Sequence, residues 1–287
     1  MPKPVRRVSE ARPKQAIFAA SIKQHPKRLV MLTEGDSWFS YPLNANIADY
    51  IEMMSDFSLL RLEHNGDEAR EILGQGSEQL KKLKYYLKNY AVDALLLSAG
   101  GNDLKNAFKE AFIAAIVHVK AKSRVPKDLK AMTSRPARAG PIFEEVVGYI
   151  VQWIGLRQKS RLNKDTPVVL HGYDYLQPRP APARAAVNGL PVSGPWIYPT
   201  LLAAGKTDEQ MRLIAKDVID TLNDWLDKQV KPLPNVYLLD TRRTLKLAEP
   251  RTDRASNDWM DEIHALPEGW AKLAAKAWNP ILAKILA

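Results

Sequence analysis

The sequence predicts an α/β fold in three layers, with helices on both faces of a central, mostly parallel sheet of about five strands. Three observations support this fold class. Short apolar runs recur along the 287-residue chain, stretches of helical periodicity separate them, and several of the runs end in polar turns that contain glycine. Because ligands bind at the carboxyl ends of parallel strands, these turns are where chemistry is expected.

Each strand is predicted from an apolar run that is too short for a helix and is bounded by polar residues, the pattern of a strand buried on both faces. The predicted strands are residues 28–33, 59–62, 94–98, 167–172 and 235–240. Longer stretches between and after them have helical patterns. The predicted helices are residues 47–57, 68–89, 105–121, 141–156, 210–229 and 269–286. Gly74 and Gly76 interrupt the second of these helices, because glycine weakens a helix interior.

The chain is predicted to contain a single domain, residues 28–287, preceded by a basic N-terminal arm, residues 1–27, with one short helix. Two stretches depart from the alternation of strands and helices. Residues 104–160 combine helical segments with a basic loop, and residues 176–207 are rich in proline. We interpret both as insertions at the functional edge of the sheet, where such segments often form the walls of a substrate site.

The composition is that of an ordinary globular protein, with 46% hydrophobic and 26% charged residues. The chain has no cysteine, which excludes disulfides, thiolate metal sites and a cysteine nucleophile. No apolar run approaches the roughly 18 residues of a membrane span. Residues 17–22 are too short for the apolar core of a signal peptide. We therefore expect a cytoplasmic protein by default, unless export uses a route without such a signal.

The net charge of +10 is concentrated in two segments. Residues 1–30 hold eight basic residues and one acid, and residues 120–138 hold seven basic residues and one acid. Such segments are most often a solvated tail and a solvated loop, but they can also attract an anionic membrane surface or nucleic acid. A nucleic-acid partner is not expected, because the arm lacks the interleaved aromatic residues that stack on bases.

A serine follows the first predicted strand closely, in the sequence Gly35-Asp36-Ser37. On a sharp turn between a strand and a helix, a serine hydroxyl is exposed at the edge of the sheet. The hydroxyl is a poor nucleophile unless a neighbouring base accepts its proton. Taken alone, Ser37 is more often a helix N-cap than a nucleophile.

Two further polar segments could complete such a site. Asn102 follows the third predicted strand, where its side-chain amide could stabilise an oxyanion, although an ordinary turn also favours Gly and Asn there. Asp261 and His264 are three residues apart, so both side chains can face the same way on one turn. A carboxylate beside an imidazole fixes its tautomer. The alternative is a surface helix cap with a solvated histidine.

Together these segments resemble the four blocks of the SGNH, or GDSL, hydrolase family, in the same order along the chain. The matching segments are Gly35-Asp36-Ser37, Asn65-Gly66-Asp67, Gly100-Gly101-Asn102-Asp103 and Asp261-Glu262-Ile263-His264. The resemblance covers roughly residues 28–103 and 165–285. The sequence Gly-Asp-Ser-Trp, followed by an aromatic residue and Tyr41-Pro42, is similar to a bacterial subset of the family. Trp38 and Ala265 depart from the family pattern, which usually has a smaller aliphatic residue and a proline there.

The resemblance implies a serine hydrolase in which Ser37 is the nucleophile, His264 the base and Asp261 the acid that orients it. It also implies an oxyanion hole made by the backbone N–H groups of Ser37 and Gly66 and by the side-chain amide of Asn102. The implied reaction is hydrolysis of a carboxylic ester through an acyl-enzyme on Ser37, and it needs neither a metal nor an organic cofactor. The ester could belong to an acyl lipid, a phospholipid or a small molecule.

Trp38, Trp196 and Tyr198 are the candidates for contact with the substrate. Asp174 and Asp240 end predicted strands and are interpreted as turn residues. The histidines at positions 64, 118 and 171 show no metal-ligand spacing with carboxylates, so no metal site is predicted. Three alternatives to the lipase or esterase stay open: a carbohydrate or cell-wall O-acetyl esterase, a non-catalytic binding module on the same fold, and a basic nucleic-acid binder. The sequence leaves the oligomeric state open.

Overall fold

The structure is a computed structural model that describes residues 14–54, 57–105, 108, 139–185 and 188–287, and the statements below concern these residues. Residues 1–13 of the predicted arm lie outside them. So does the basic segment 120–138, together with most of the helix predicted at 105–121.

Parallel strands form the centre of the molecule. In chain order the strands are β1 (Leu29–Gly35), β2 (Phe57–Arg61), β3 (Ala94–Ser98), β4 (Val168–His171), β5 (Ala183–Arg184), β6 (Pro191–Ser193) and β7 (Val236–Leu239). The central sheet has five strands in the order β2-β1-β3-β4-β7, and every neighbouring pair in it is parallel. This is the flavodoxin-like order, in which the strand order reverses between β1 and β3. The predicted fold class is confirmed.

Helices flank this sheet. They are α1 (Lys14–Gln24), α2 (Ser37–Ser40), α3 (Ile47–Met54), α4 (Ala69–Leu73), α5 (Glu78–Asn89), α6 (Ala139–Lys159), α7 (Tyr198–Ala203), α8 (Asp208–Gln229), α9 (Pro267–Leu273) and α10 (Asn279–Ile285). A π-helical turn, Ala274–Trp278, joins the last two. Residues 101–105 are also helical.

The break predicted inside residues 68–89 separates α4 from α5. A Cβ on Gly74 would lie 2.3 Å from the Arg70 carbonyl oxygen, so the chain can turn this closely over the end of α4 only with glycine. Ser77 then begins the next helix, because its hydroxyl accepts the Leu80 N–H at 3.1 Å.

The core lies against the middle strands of the sheet. All five residues of β3 and all four of β4 are buried. Strands of a parallel sheet covered on both faces need apolar side chains on both, which explains why these strands read as continuous apolar runs in the sequence.

The first helix of the chain, α1, packs on the domain. Its Phe18 is 2% exposed and lies edge-on to Tyr86, with ring centroids 6.1 Å apart. Ser21 Oγ and Ser58 Oγ are 2.9 Å apart, which joins the helix to β2. The part of the predicted arm from residue 14 onward therefore belongs to the folded body, including the short helix that the sequence predicts there.

The proline-rich insertion, residues 176–207, is mostly irregular. It contains the antiparallel pair β5 and β6 and ends in the six-residue helix α7. None of the helices in the described part of the chain is long and apolar enough to cross a membrane.

Candidate active site

The turns after β1 and β3 meet at one edge of the sheet. Ser37 is the first residue of α2, and Asp36 is its N-cap. A Cβ on Gly35 would lie 2.5 Å from the Ser98 carbonyl oxygen, so glycine is needed where β1 ends against β3. The Asp36 N–H donates to that same carbonyl at 2.9 Å. The strand ends thus bring the first and third sequence blocks together.

Ser37, His264 and Asp261 form a continuous hydrogen-bonded chain. The distance from Ser37 Oγ to His264 Nε2 is 2.9 Å. His264 Nδ1 lies 2.9 Å from Asp261 Oδ2 and 3.0 Å from Oδ1. The side chains are nearly removed from water, at 6%, 4% and 1% exposure for the serine, histidine and aspartate. With Nδ1–H donated to the carboxylate, Nε2 is left as the acceptor for the serine proton.

Asp261 is held by more than its histidine. Its Oδ1 accepts the backbone N–H groups of Ile263 and His264 at 2.9 and 2.8 Å, and its Oδ2 accepts the Tyr41 hydroxyl at 2.6 Å. Burial favours the neutral acid, but the charge of His264 and these hydrogen bonds outweigh it, so the pKa of Asp261 lies below its usual value. The carboxylate is therefore ionised where the mechanism requires a negative charge.

The His264 ring is packed between aromatic groups. The Tyr41 ring stacks on it, with centroids 3.9 Å apart and planes at 19°. The Trp196 ring lies edge-on, with centroids 5.5 Å apart. Trp38 Nε1 donates to the Ile263 carbonyl at 3.3 Å, which ties α2 to the loop that carries the histidine. This loop precedes α9 and is not itself helical, so the alternative of a surface helix cap does not describe it.

Asp36, the middle residue of the first block, organises the turn beside the nucleophile. Its carboxylate accepts the Trp38 N–H at 3.0 Å, the Gly101 N–H at 3.2 Å, the Ser98 hydroxyl at 2.8 Å and the Tyr173 hydroxyl. The first N–H groups of a helix have no acceptor within the helix. The Asp36 carboxylate accepts the Trp38 N–H, and the N–H of Ser37 is left available to a ligand.

Asn102 is oriented by partners on both ends of its amide. Its Nδ2 donates to the Asp67 carbonyl at 2.9 Å, and its Oδ1 accepts from Lys105 Nζ at 3.1 Å. The amide nitrogen has a second hydrogen that remains for an oxyanion. The Asp67 contact brings the second block next to the third. Gly66 itself is exposed in a turn with φ of 93°, and it is not among the described residues that line the cleft at Ser37. Its oxyanion role stays a prediction.

A narrow cleft opens beside Ser37. The space within it is about 30 Å³, little more than one water molecule requires. The polar side chains in the described lining include those of Ser37, Asn102, Lys105 and Asp174, and most of the remaining wall is apolar. The described apolar residues of the lining are Trp38, Leu104, Phe108, Leu176, Ile197, Ile219 and Ile263.

Among the predicted contact residues, Trp38 lines this cleft and is 5% exposed. Trp196 and Tyr198 are half-buried and lie outside the described lining, although Trp196 contacts the His264 ring and Ile197 between them is part of the wall. Sequence reasoning named the two aromatic residues and missed the isoleucine. The sequence around an isoleucine in a proline-rich loop does not indicate whether its side chain lines a cleft or lies in the core.

The two other polar residues considered in the sequence, Asp174 and Asp240, are bound by neighbouring groups of the fold. Asp174 is buried and accepts the backbone N–H groups of Arg243, Thr244 and Leu245, which agrees with its interpretation as a turn residue. Asp240 pairs with Arg242 at the surface. No group of three His, Asp or Glu side chains that could hold a metal ion occurs among the residues described.

The three histidines considered as metal ligands in the sequence have other surroundings than His264. His64 pairs with Asp67 near the surface. His171 is buried behind the nucleophile and contacts Ser98 Oγ at 3.0 Å. Burial lowers its pKa to about 4, so it is neutral at physiological pH. His118 lies outside the described residues.

No protein-family model and no curated protein matches the chain. Solved structures do align with it. An aryl esterase of M. smegmatis aligns at 14% identity over 90% of this chain and 98% of its own, with a TM-score of 0.42. A carbohydrate acetylesterase family member from Sinorhizobium meliloti aligns at 13% identity over 90% and 99%, with a TM-score of 0.44. AlinE4, an SGNH-hydrolase family esterase, aligns at 15% identity over 91% and 98%, with a TM-score of 0.34.

Of these three structures, AlinE4 is described as a member of the SGNH-hydrolase family, which is the family that the four sequence blocks of this chain resemble. At these identities the similarity concerns the fold alone. The chemistry is judged from the geometry of the site.

Proposed function

We propose that this protein is a serine hydrolase of the SGNH type that cleaves carboxylic esters through an acyl-enzyme on Ser37. The observation that carries the proposal is the buried chain from Ser37 Oγ through His264 to Asp261, with 2.9 Å between Oγ and Nε2 and 2.9 Å between Nδ1 and Oδ2. A nucleophile, a base in hydrogen-bond reach of it and a carboxylate that orients the base are the requirements of acyl transfer at a serine.

In the first half of the reaction, His264 Nε2 accepts the Ser37 proton as Oγ attacks the ester carbonyl carbon. Negative charge develops on the carbonyl oxygen, where the Ser37 N–H and the Asn102 amide, together with the proposed Gly66 N–H, stabilise it. The tetrahedral intermediate then collapses. The bond to the alcohol oxygen breaks, the histidine protonates that oxygen, and the acyl group stays on Ser37.

In the second half, a water molecule attacks the acyl carbon while the same histidine accepts its proton. The carbon–Oγ bond breaks, and the proton returns to Ser37. Throughout, Asp261 keeps the imidazole in one tautomer and offsets its transient positive charge.

The size of the cleft favours a short acyl group. The described lining leaves about 30 Å³ beside Ser37, which accommodates a methyl group more readily than an extended alkyl chain. Acetyl esters are therefore the preferred substrate class within the proposal, in line with the alternative of an O-acetyl esterase. Longer acyl chains would require the apolar walls to move.

The test is a panel of p-nitrophenyl esters from acetyl to octanoyl, measured with the wild type, Ser37→Ala and Ser40→Ala. Ser40 lies on the same short helix, and among the described residues no hydrogen bond joins its side chain to the triad, so it is the matched control. We expect acetyl to be the best substrate and Ser37→Ala to lower kcat by about 10⁴-fold or more, with Ser40→Ala near wild type. Equal turnover by Ser37→Ala and wild type would refute the proposal, and a preference for octanoyl would replace the acetyl assignment by a lipase.

A further inference from the structure

Glu262 stands two residues before the catalytic histidine, yet it takes no part in the mechanism above. It is 1% exposed. Its carboxylate accepts three consecutive backbone N–H groups, those of Trp196, Ile197 and Tyr198, the last two at 2.8 and 2.7 Å. A buried carboxylate is costly unless it is bound in this way, and hydrogen bonds to an ionised acceptor are among the stronger ones in proteins.

Glu262 also joins the proline-rich insertion to the loop that carries Asp261 and His264. Its backbone N–H donates to the Ala181 carbonyl at 3.0 Å. Next to it, the Asp261 carbonyl accepts from Arg179 Nη2 at 2.7 Å. The main chain of the loop therefore holds the first part of the insertion, residues 176–185. The Glu262 side chain, which also accepts the backbone N–H of Arg179 in that part, holds the second part.

The segment bound by Glu262 forms part of the site. Ile197 is 2% exposed and lines the cleft that holds Ser37. Trp196 lies edge-on to the His264 ring. Residues 194–196 adopt no helix or strand, so the carboxylate supplies hydrogen bonds that regular secondary structure would otherwise provide.

We propose that Glu262 is a positioning residue for acyl specificity, which holds residues 196–198 so that Ile197 forms part of the cleft wall while Trp196 packs against the His264 ring. This inference rests on the proposed esterase function. Loss of the carboxylate should widen the cleft for longer acyl groups and leave the chemistry at Ser37 intact. A residue that merely maintained the fold would instead lower all activities by one factor.

The main variant is Glu262→Gln, which keeps the shape of the side chain but replaces one acceptor oxygen with an amino group that cannot accept an N–H. The matched control is Glu268→Gln, an exposed glutamate on α9. For each protein, kcat and KM are measured for p-nitrophenyl acetate and p-nitrophenyl butyrate. The rate of phosphonylation of Ser37 by a small methylphosphonofluoridate reports the triad separately.

We expect Glu262→Gln to raise the ratio of kcat/KM for butyrate over acetate by about 10-fold, the size of effect that one or two methylene groups have in an apolar pocket. The change should appear mainly in KM. The phosphonylation rate should stay within a few-fold of wild type. An unchanged ratio, or an equal loss for both esters and the phosphonofluoridate, would overturn the inference.

A second variant disturbs the same segment while Glu262 stays in place. Gly194 has φ of 74°, and a Cβ there would lie 2.7 Å from the Trp196 ring. Gly194→Ala should therefore shift the butyrate-to-acetate ratio in the same direction. If it leaves the ratio at the wild-type value, the position of the segment does not set acyl preference.

Amide hydrogen exchange tests the positioning role of Glu262 independently of esterase activity. In the Ser37→Ala protein, the amides of residues 196–198 should exchange slowly, and adding Glu262→Gln should accelerate them by at least about 10-fold, because protection follows the free energy of local opening. Equal exchange with and without Glu262→Gln would overturn the positioning role even in an active esterase. A wild type that hydrolyses no ester in the panel would instead refute the proposed function and the acyl role with it.

Discussion

At the scale of single residues, the candidate site depends on how His264 is held. Its Nδ1 faces a carboxylate that three further donors bind, and its ring lies on the Tyr41 ring. Tyr41 therefore contacts both residues, through its hydroxyl on Asp261 and through its ring on the His264 imidazole. These contacts leave one nitrogen, Nε2, directed at Ser37.

Local sequence blocks single out Ser37, Asp261 and His264, and the structure brings these three side chains together; their catalytic roles stay a prediction. Tyr41 could not be singled out in this way, because its hydrogen bond to Asp261 joins positions 220 residues apart. The same holds for Tyr173, which donates to Asp36 across 137 residues. A tyrosine that binds a distant carboxylate has no local pattern that separates it from a tyrosine of the core.

Glu34 offers a pH-dependent prediction at this scale. It is 1% exposed, and burial together with the charge of Glu63 raises its pKa from 4.5 to about 8. Asp67 also raises this pKa, while the Gly35 N–H and Lys82 lower it. Between pH 4.5 and 8 the folded protein binds a proton that the unfolded chain has lost. Stability therefore falls as pH rises through this window.

Glu34→Gln removes that titration and keeps an oxygen for the Gly35 N–H. We expect the variant and the wild type to have similar free energies of unfolding at pH 5, and the variant to be more stable at pH 8 by a few kcal/mol. Urea unfolding at pH 5, 6.5 and 8 measures the difference. A difference that stays constant over this range would show that Glu34 does not titrate in it.

At the scale of elements, the strands of the central sheet follow from apolar runs, since a strand covered on both faces must be apolar on both. The N-terminal helix was harder to place. The basic residues and prolines around α1 indicate an arm. The aromatic contacts that pack the helix on the domain come from Phe18, which meets Tyr86 of α5 and Tyr90 just after that helix. Charge patterns describe the exposed side of such a helix and not its buried contact.

If α1 is part of the folded domain, Phe18→Ala should lower the free energy of unfolding by about 3–5 kcal/mol, the usual cost of removing a buried phenylalanine. Ile17 is the matched control, because it lies on the same helix and is 39% exposed. Ile17→Ala should cost clearly less. Urea denaturation compares the two, and equal costs would mean that the helix is an arm that adds little to the domain.

At the scale of the whole molecule, the sequence predicts which edge of the sheet carries the chemistry but not the shape of the cleft there. Blocks at strand ends meet because parallel strands end at one edge. The described wall of the cleft includes Ile197, at the end of an irregular loop, and apolar residues from several elements. Long-range contacts, such as those of Glu262, bring the residues of the cleft wall together. Neither periodicity nor motif spacing predicts such contacts.

The central claim is that Ser37 is a nucleophile activated by His264. Its most direct test is reaction of the intact protein with an ester-mimicking fluorophosphonate, followed by mass spectrometry of the intact chain and of its peptides, with His264→Ala as the control. We expect one adduct per chain, on Ser37, formed rapidly by the wild type and at least about 100-fold more slowly by His264→Ala. No adduct on Ser37, or equal labelling rates in the two proteins, would contradict it.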